Sequence, residues 1–165
     1  MKPVIRIRRA NINDADVIGY HRAGMFRDMG QIPDHLFEAF KSRSIERVRE
    51  LVASGEYVGW LASPAENPEM IVGGGGVHLR RVLPHPANEH AFAEGRHGLI
   101  INVFTEPEWR RQGVGELLMK EIIEWSKNEK LDRLVLHASE DGKRLYQRLG
   151  FVLTNEMKYV GNRKP

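Results

Sequence analysis

The residues whose types and spacing best suit chemistry lie between an apolar run, Leu99–Val103, and an amphipathic run that begins at Val114. The connecting segment carries two arginines followed by two glycines: Arg110, Arg111, Gly113 and Gly115. The first turn of a helix leaves four backbone N–H groups unpartnered, and the helix dipole favours an anion there. The pattern therefore predicts a phosphate-binding helix start, although an ordinary glycine-containing turn has the same composition.

Two common nucleotide-binding motifs do not fit this segment. The dinucleotide-binding pattern Gly-x-Gly-x-x-Gly requires a further glycine, and the chain has Leu118 at that position. A P-loop ends in Gly-Lys-Ser or Gly-Lys-Thr, which this segment lacks. A helix start that binds phosphate without either motif remains.

The composition predicts a single globular domain over residues 1–165, with 41% hydrophobic and 28% charged residues. No apolar run approaches the roughly 20 residues that cross a membrane, and the first residues show no signal-peptide core. We therefore expect a cytoplasmic protein with no membrane partner.

The lack of cysteine, the net charge and the spacing of the histidines argue against several further classes of function. The chain has no cysteine, which excludes disulfides, thiolate metal sites and a cysteine nucleophile. The net charge of +3 has no basic block behind it, so we expect no nucleic-acid partner. The histidines His78, His85, His90 and His97 follow no common ligand spacing, and we expect no metal. Three of them lie in a polar stretch, 84–98, that is predicted to be a long surface loop.

Hydrophobic periodicity predicts the order β-α-α-β-β-β-α-β-α-β-β. The predicted strands cover residues 4–8, 56–62, 70–79, 99–103, 131–138, 151–153 and 157–160. The predicted helices start near residues 13, 33, 114 and 141, with Asn13 as the first N-cap. The strand–helix–strand order from Leu99 predicts a parallel, right-handed crossover.

Two segments resemble signatures of the GNAT-type N-acetyltransferase superfamily. Residues 110–115 resemble its motif Gln/Arg-x-x-Gly-x-Gly/Ala, and residues 145–151 resemble Leu/Phe-Tyr-x-x-Leu-Gly-Phe. The element order also agrees over about residues 4–160. The resemblance implies an α/β (α+β) fold: a mixed central sheet of about seven strands with four helices, splayed between the fourth and fifth strands.

The same resemblance implies acetyl-CoA as acyl donor and transfer to a primary amine by direct attack in a ternary complex. The implied donor-binding residues are Asn102, Val103, Thr105, Arg110, Arg111, Gln112, Gly113, Val114, Gly115, Glu116, Ser139 and Lys143. The Val103 amide is the implied hydrogen-bond donor to the oxyanion. Tyr146 is the implied acid, since a phenol of pKa about 10 can protonate a departing thiolate whose thiol has a pKa of about 8.5.

The acceptor side is less defined. The first two helices and the loop 84–98 are expected to hold the amine, with Phe26, Asp28 and Phe37 as candidate contacts. The general base stays open among Glu94, His97, His78 and Glu140, because no acid lies between Leu99 and Thr105. The acceptor could be a small amine, an amino acid, an antibiotic or a protein amine. A non-catalytic acyl-CoA-binding or sensing domain is the alternative, and a homodimer is compatible with either function.

Overall fold

A computed structural model of the protein describes residues 2–161. Within them the chain forms seven strands: β1 (Ile5–Arg9), β2 (Tyr57–Pro64), β3 (Gly73–Arg81), β4 (His85–Asn88), β5 (Ala91–Ala93), β6 (Arg96–Thr105) and β7 (Arg133–Leu136). The four helices of this region are α1 (Ala15–Asp28), α2 (Asp34–Ser54), α3 (Val114–Asn128) and α4 (Lys143–Arg148). None of these helices has the length and apolarity that a membrane crossing requires.

The central sheet has the strand order β1-β2-β3-β6-β7. Its first four strands are antiparallel to their neighbours, and β7 joins β6 in parallel after the α3 crossover. The prediction of a mixed α/β fold with four helices is therefore confirmed. The described part of the central sheet has five strands rather than about seven, since β4 and β5 form a separate two-stranded sheet.

The strand count differs from the prediction in two places. The hairpin of β4 and β5 occupies most of the stretch 84–98, which was predicted to be a loop. The predicted final strands, 151–153 and 157–160, form no strand in the described chain. Their alternating pattern is suited to a strand, but Val152, Leu153, Met157 and Tyr159 are all more than 70% exposed. Alternation favours a strand only where a neighbouring strand completes the hydrogen bonds and covers one face.

Local signals set the ends of the first two helices. Asn11, rather than the predicted Asn13, caps the turn that leads into α1, and its backbone N–H donates to the Asp14 carboxylate in a capping box. Arg8 holds the same carboxylate through two hydrogen bonds of 2.9 and 2.8 Å. Gly55 ends α2 in the left-handed conformation, as the sequence predicts.

The core lies on both faces of the sheet. On one face α3 buries Leu118, Met119 and Ile122 completely, and on the other α1 and α2 cover Leu61. Full burial of an aliphatic side chain contributes about 1.5–3 kcal/mol, so α3 is held firmly against the strands. Because β6 leads directly into α3, this packing places the start of α3 beside the end of β6.

The glycine run at the start of β3 makes room for the Tyr57 side chain and for the close approach of the Phe104 backbone. A Cβ at Gly76 would collide with the Tyr57 hydroxyl, and one at Gly73 would stand 2.9 Å from the Phe104 carbonyl oxygen. The Tyr57 hydroxyl thereby reaches β6, where it accepts a hydrogen bond from Asn102 at 3.2 Å.

Candidate active site

Strand β6 contains a β-bulge in its pairing with β3. Its pairing with β3 shifts by one residue between the pairs Gly76–Ile101 and Gly74–Phe104. Asn102, inside the bulge, has φ of +60°, in the left-handed region that side chains seldom adopt. The bulge changes the direction of the strand at a position next to Val103.

Beyond the bulge, β6 parts from β7. The two strands pair only from His97–Arg133 to Ile100–Leu136, so β6 has no β7 partner from Ile101 onward. This confirms the predicted splay between the fourth and fifth strands of the central sheet. Backbone groups on this side of β6 are consequently available to a ligand that lies along the strand.

The start of α3 has the backbone geometry of a phosphate-binding site. The N-cap, Gly113, has φ of +89° and provides no side-chain hydrogen bond to the first turn. Arg111 is also left-handed, with φ of +59°, and such residues turn successive N–H groups toward one side. The first-turn donors of α3 thus lack side-chain partners, which fits the diphosphate of a CoA thioester.

A cavity of about 1190 Å³ joins the splay to the start of α3. It is lined by the divergent stretch of β6, the start of α3, the end of β7, α4 and the second half of α1. Thirteen of the predicted site residues line it: Phe26, Asp28, Asn102, Val103, Thr105, Arg110, Arg111, Gly113, Val114, Gly115, Glu116, Ser139 and Tyr146. The structure therefore brings together one site from five separate elements.

Three predicted site residues do not line this cavity. The Gln112 side chain turns back to donate to the Glu108 carbonyl oxygen at 2.8 Å, and Lys143 lies outside the lining. Phe37 is 9% exposed, and Arg27 stacks on its ring with the guanidinium carbon 4.3 Å from the centroid. Phe37 thus packs between helices rather than facing an acceptor.

The open candidates for a general base also lie elsewhere. None of Glu94, His97, His78 and Glu140 lines the cavity. His97 is 2.9 Å from His85 between the two Nε2 atoms, which ties the β4–β5 hairpin to the start of β6. The loop region 84–98 therefore contributes no lining residue to the cavity within the described chain.

Arg110 and Asp28, predicted to contact the donor and the acceptor respectively, pair with each other in the structure. Arg110 forms an ion pair with the Asp28 carboxylate and donates from Nε to the Thr105 carbonyl oxygen at 2.9 Å. The carboxylate is thus already neutralised, and the guanidinium is anchored to protein groups. The pair connects the end of α1 to the segment that leads into α3.

Tyr146 faces the cavity from α4. Its ring packs edge-to-face with Phe151, with centroids 6.2 Å apart, and contacts the main core. Burial raises the pKa of its phenol above the ordinary value of 10. The group is therefore protonated at neutral pH and has a proton to donate.

The structure also shows cavity residues that the sequence prediction missed. Arg148, on α4, lies 4.0 Å from the Glu116 carboxylate, which Lys120 also contacts at 2.7 Å. The hydrogen bond from Lys120 lowers the pKa of Glu116. Arg148 therefore adds a cation to the wall near the start of α3.

Arg22, on α1, is the second missed residue. Its Nη1 donates to the Asn102 side-chain oxygen at 2.8 Å, and the Asn102 amide donates to the Tyr57 hydroxyl at 3.2 Å. The sequence could have indicated Arg22 as a cavity residue. It is four residues from both Ile18 and Phe26, which places a cation on the apolar stripe of a predicted helix. This network fixes the Asn102 side chain at the bulge.

Comparisons with known proteins agree with this architecture. The model of the acetyltransferase (GNAT) family matches residues 26–151. No curated protein matches the chain. A GCN5-related N-acetyltransferase from Ralstonia eutropha JMP134 is 27% identical, with 94% of this chain and 97% of that chain covered and a TM-score of 0.82.

Two more distant structures show the same fold. A predicted acetyltransferase from Clostridium acetobutylicum, solved with acetyl-CoA, is 21% identical with a TM-score of 0.79, covering 96% of each chain. An aminoglycoside N-acetyltransferase in complex with CoA is 16% identical with a TM-score of 0.65, covering 99% of this chain and 98% of that chain. Since the family model spans most of the sequence, the chain belongs to the GNAT family of acetyltransferases, whose acyl donor is acetyl-CoA.

Proposed function

We propose that this protein transfers the acetyl group of acetyl-CoA to a primary amine by direct attack within a ternary complex. The observation that carries the proposal is a single cavity that holds the start of α3, the bulge of β6 and the Tyr146 ring. The residues that bind the acyl donor, the amide at the β6 bulge and the proton donor Tyr146 then line one cavity. Those are the groups that acetyl transfer to an amine requires.

The donor is held at two places. The N–H groups of residues 113–116 donate hydrogen bonds to the diphosphate, with Arg111 and Arg148 as nearby cations. The pantetheine arm follows the part of β6 that β7 leaves unpaired, beside Val103 and Thr105. This arrangement brings the thioester to the bulge.

The reaction then uses two groups of the chain. The amine nitrogen forms a bond to the thioester carbon while the Val103 N–H donates a hydrogen bond to the carbonyl oxygen as negative charge develops there. The carbon–sulfur bond breaks, and the Tyr146 phenol gives its proton to the departing sulfur. The amine releases one proton to solvent, from which the phenol recovers its own.

The test is a thiol-release assay with Tyr146→Phe. A panel of primary amines is incubated with acetyl-CoA, and free CoA thiol is measured. We expect Tyr146→Phe to lower kcat by about 10²-fold or more, the usual contribution of a general acid, while CoA affinity changes by less than about twofold. Tyr159→Phe is the matched control, because it removes the same hydroxyl from a tyrosine that does not line the cavity and should react like the wild type.

Two outcomes would contradict the proposal. A Tyr146→Phe variant with weaker CoA binding and unchanged kcat would remove the acid role. Retained CoA binding without thiol release from any amine would favour a non-catalytic acyl-CoA sensor instead.

We also propose that a second copy of the chain covers the segment 151–160. Met157 and Tyr159 are 93% and 92% exposed, and β7 is an edge strand of the central sheet. Exposed apolar residues beside an open sheet edge are typical of an association surface. Sedimentation should show a dimer that Met157→Asp weakens, and a monomeric wild type at all concentrations would refute it.

A further inference from the structure

The α1 wall of the cavity carries a cation without a carboxylate partner. Arg22 is half-buried, and no carboxylate oxygen of the described residues lies within 4.0 Å of its guanidinium. Of the other cations on the cavity wall, Arg110 is paired with Asp28 and Arg148 lies 4.0 Å from Glu116, whereas Lys2 and Arg111 also have no carboxylate of the described chain within 4.0 Å but are exposed. Arg22 is therefore an uncompensated charge at partial burial.

Neutral groups hold the Arg22 side chain in place. Nη1 donates to Asn102, and the guanidinium carbon lies 5.0 Å from the centroid of the Phe26 ring. Asn102 has no charge, and burial raises the pKa of Tyr57 to about 12, so that phenol is neutral as well. One of the five guanidinium N–H donors is used by Asn102, and the others have no hydrogen-bond partner in the described chain.

A guanidinium in such a place stabilises an anion that enters the cavity. Leaving a partly buried charge unpaired is unfavourable, and a carboxylate or phosphate would satisfy two of the free donors at once. The acid closest in sequence on the same wall, Asp28, is already bound by Arg110. The adjoining lining residues Met25 and Met29 are apolar, so the wall suits a molecule with an anionic group and an apolar portion.

We propose that Arg22 binds an anionic group of the acceptor, which is therefore a small primary amine that carries a carboxylate or a phosphate. The identification of the amine as acceptor rests on the proposed function. Arg22 is bonded to Asn102, and Asn102 precedes Val103, the residue beside the reacting carbonyl. An acceptor that reaches both Arg22 and the Val103 amide therefore carries its anionic group near its amine, as an amino acid does.

The test compares matched acceptors that differ in the anionic group. Phenylalanine is compared with phenylalaninamide and phenethylamine, and O-phosphoethanolamine with ethanolamine. We expect one anionic compound to have a kcat/KM at least about tenfold above its neutral counterparts, and the pair that shows it distinguishes carboxylate from phosphate.

Arg22→Gln removes the charge and retains an amide donor on a shorter side chain. We expect it to abolish the preference for the anionic acceptor, by roughly 10- to 100-fold in kcat/KM, while neutral amines and CoA affinity are unchanged. Arg22→Lys should retain part of the preference. Arg27→Gln is the control, since Arg27 lies on the same helix and outside the cavity lining.

Several results would overturn the inference. Equal rates for anionic and neutral amines in the wild type would refute it while leaving the transferase function intact. An equal loss of kcat/KM for all acceptors in Arg22→Gln would mean that Arg22 only positions Asn102. Weaker CoA binding in this variant would mean that Arg22 contacts the acyl donor. If no amine releases thiol, calorimetry on the CoA-loaded protein still decides, because an anionic compound must bind the wild type more tightly than Arg22→Gln.

Discussion

At the scale of single residues, His21 shows how burial controls ionisation beside the site. Its side chain is 1% exposed, packs 5.0 Å from the Phe104 ring between centroids, and its Nε2 has no hydrogen-bond partner in the described chain. Glu106 is 3.9 Å away, but burial lowers the pKa of His21 to about 4 and raises that of Glu106. His21 is therefore neutral near pH 7, and it supports Phe104 in β6 by packing.

This burial predicts a loss of stability in acid. The folded pKa of His21 is below its ordinary 6.5, so its contribution to stability is complete above pH 6.5 and is lost as the pH falls toward about 4. The loss amounts to roughly 3 kcal/mol, at about 1.4 kcal/mol per pKa unit. Urea unfolding at pH 7, 5.5 and 4 measures it, and His21→Leu should reduce the decline.

The control for this prediction is His90→Leu, an exposed histidine in the β4–β5 turn that should keep the wild-type pH dependence. Glu106 acts in the opposite direction near its own pKa, because an acid whose pKa is raised in the folded state gains stability on protonation. An unchanged pH slope in His21→Leu would show that other groups cause the acid loss.

At the scale of elements, the start of α3 uses its two glycines for different reasons. Gly113 is in the left-handed conformation with open space around its Cβ position, so a side chain there would cost about 1–2 kcal/mol in backbone strain. A Cβ at Gly115 would meet the Leu145 side chain at 3.8 Å and Thr105 Oγ1 at 4.0 Å, which are ordinary contacts. Gly115 is therefore dispensable for folding, and its methyl-free surface faces the cavity.

Gly115→Val should separate ligand binding from stability. We expect a free energy of unfolding within about 1 kcal/mol of the wild type, since valine has no lower helix propensity than glycine, and a roughly tenfold loss of CoA affinity because the branched side chain, unlike the alanine that the family motif admits, crowds the diphosphate. Calorimetric titration with CoA and urea unfolding measure the two effects. Glu121→Ala, on an exposed part of the same helix, serves as the control, and equal CoA affinity in both variants would count against the phosphate-binding site.

At the scale of the whole molecule, the separation of β6 from β7 leaves the two walls of the cavity connected mainly through the paired part of the central sheet. The pairing of β6 with β7 stops at Ile100, and the Arg110–Asp28 ion pair links α1 to the other wall. A donor bound along the splay would contact β6, α3 and α4 together. Binding should therefore stabilise the entire fold rather than one segment.

Acetyl-CoA at 100 times its Kd should stabilise the protein by about 2.7 kcal/mol, which corresponds to a rise in Tm of roughly 5–10 °C for a chain of this size. Thermal unfolding with increasing acetyl-CoA measures the shift. S-acetylpantetheine, which lacks the diphosphate, should give a much smaller shift at equal concentration. Equal shifts for the two compounds would mean that the start of α3 does not bind phosphate.

The sequence alone determined the features that depend on neighbouring residues. The glycine spacing at 113–115 and the amphipathic run after it predicted a helix with an open start, which is confirmed. The motif at residues 110–115 and the Leu145–Phe151 signature indicated the family, which the comparisons confirm. Such features follow from backbone conformation and periodicity, which a few adjacent residues decide.

Only the tertiary structure decided which charges remain available in the cavity. Arg110 and Asp28 are separated by 82 residues and Arg22 and Asn102 by 80, so local spacing could not predict either pair. The same holds for segment 151–160, where an alternating pattern had no strand to pair with in the described chain. Ion pairing and strand pairing depend on which distant groups the fold brings within a few ångströms, and that is settled by the packing of the whole chain.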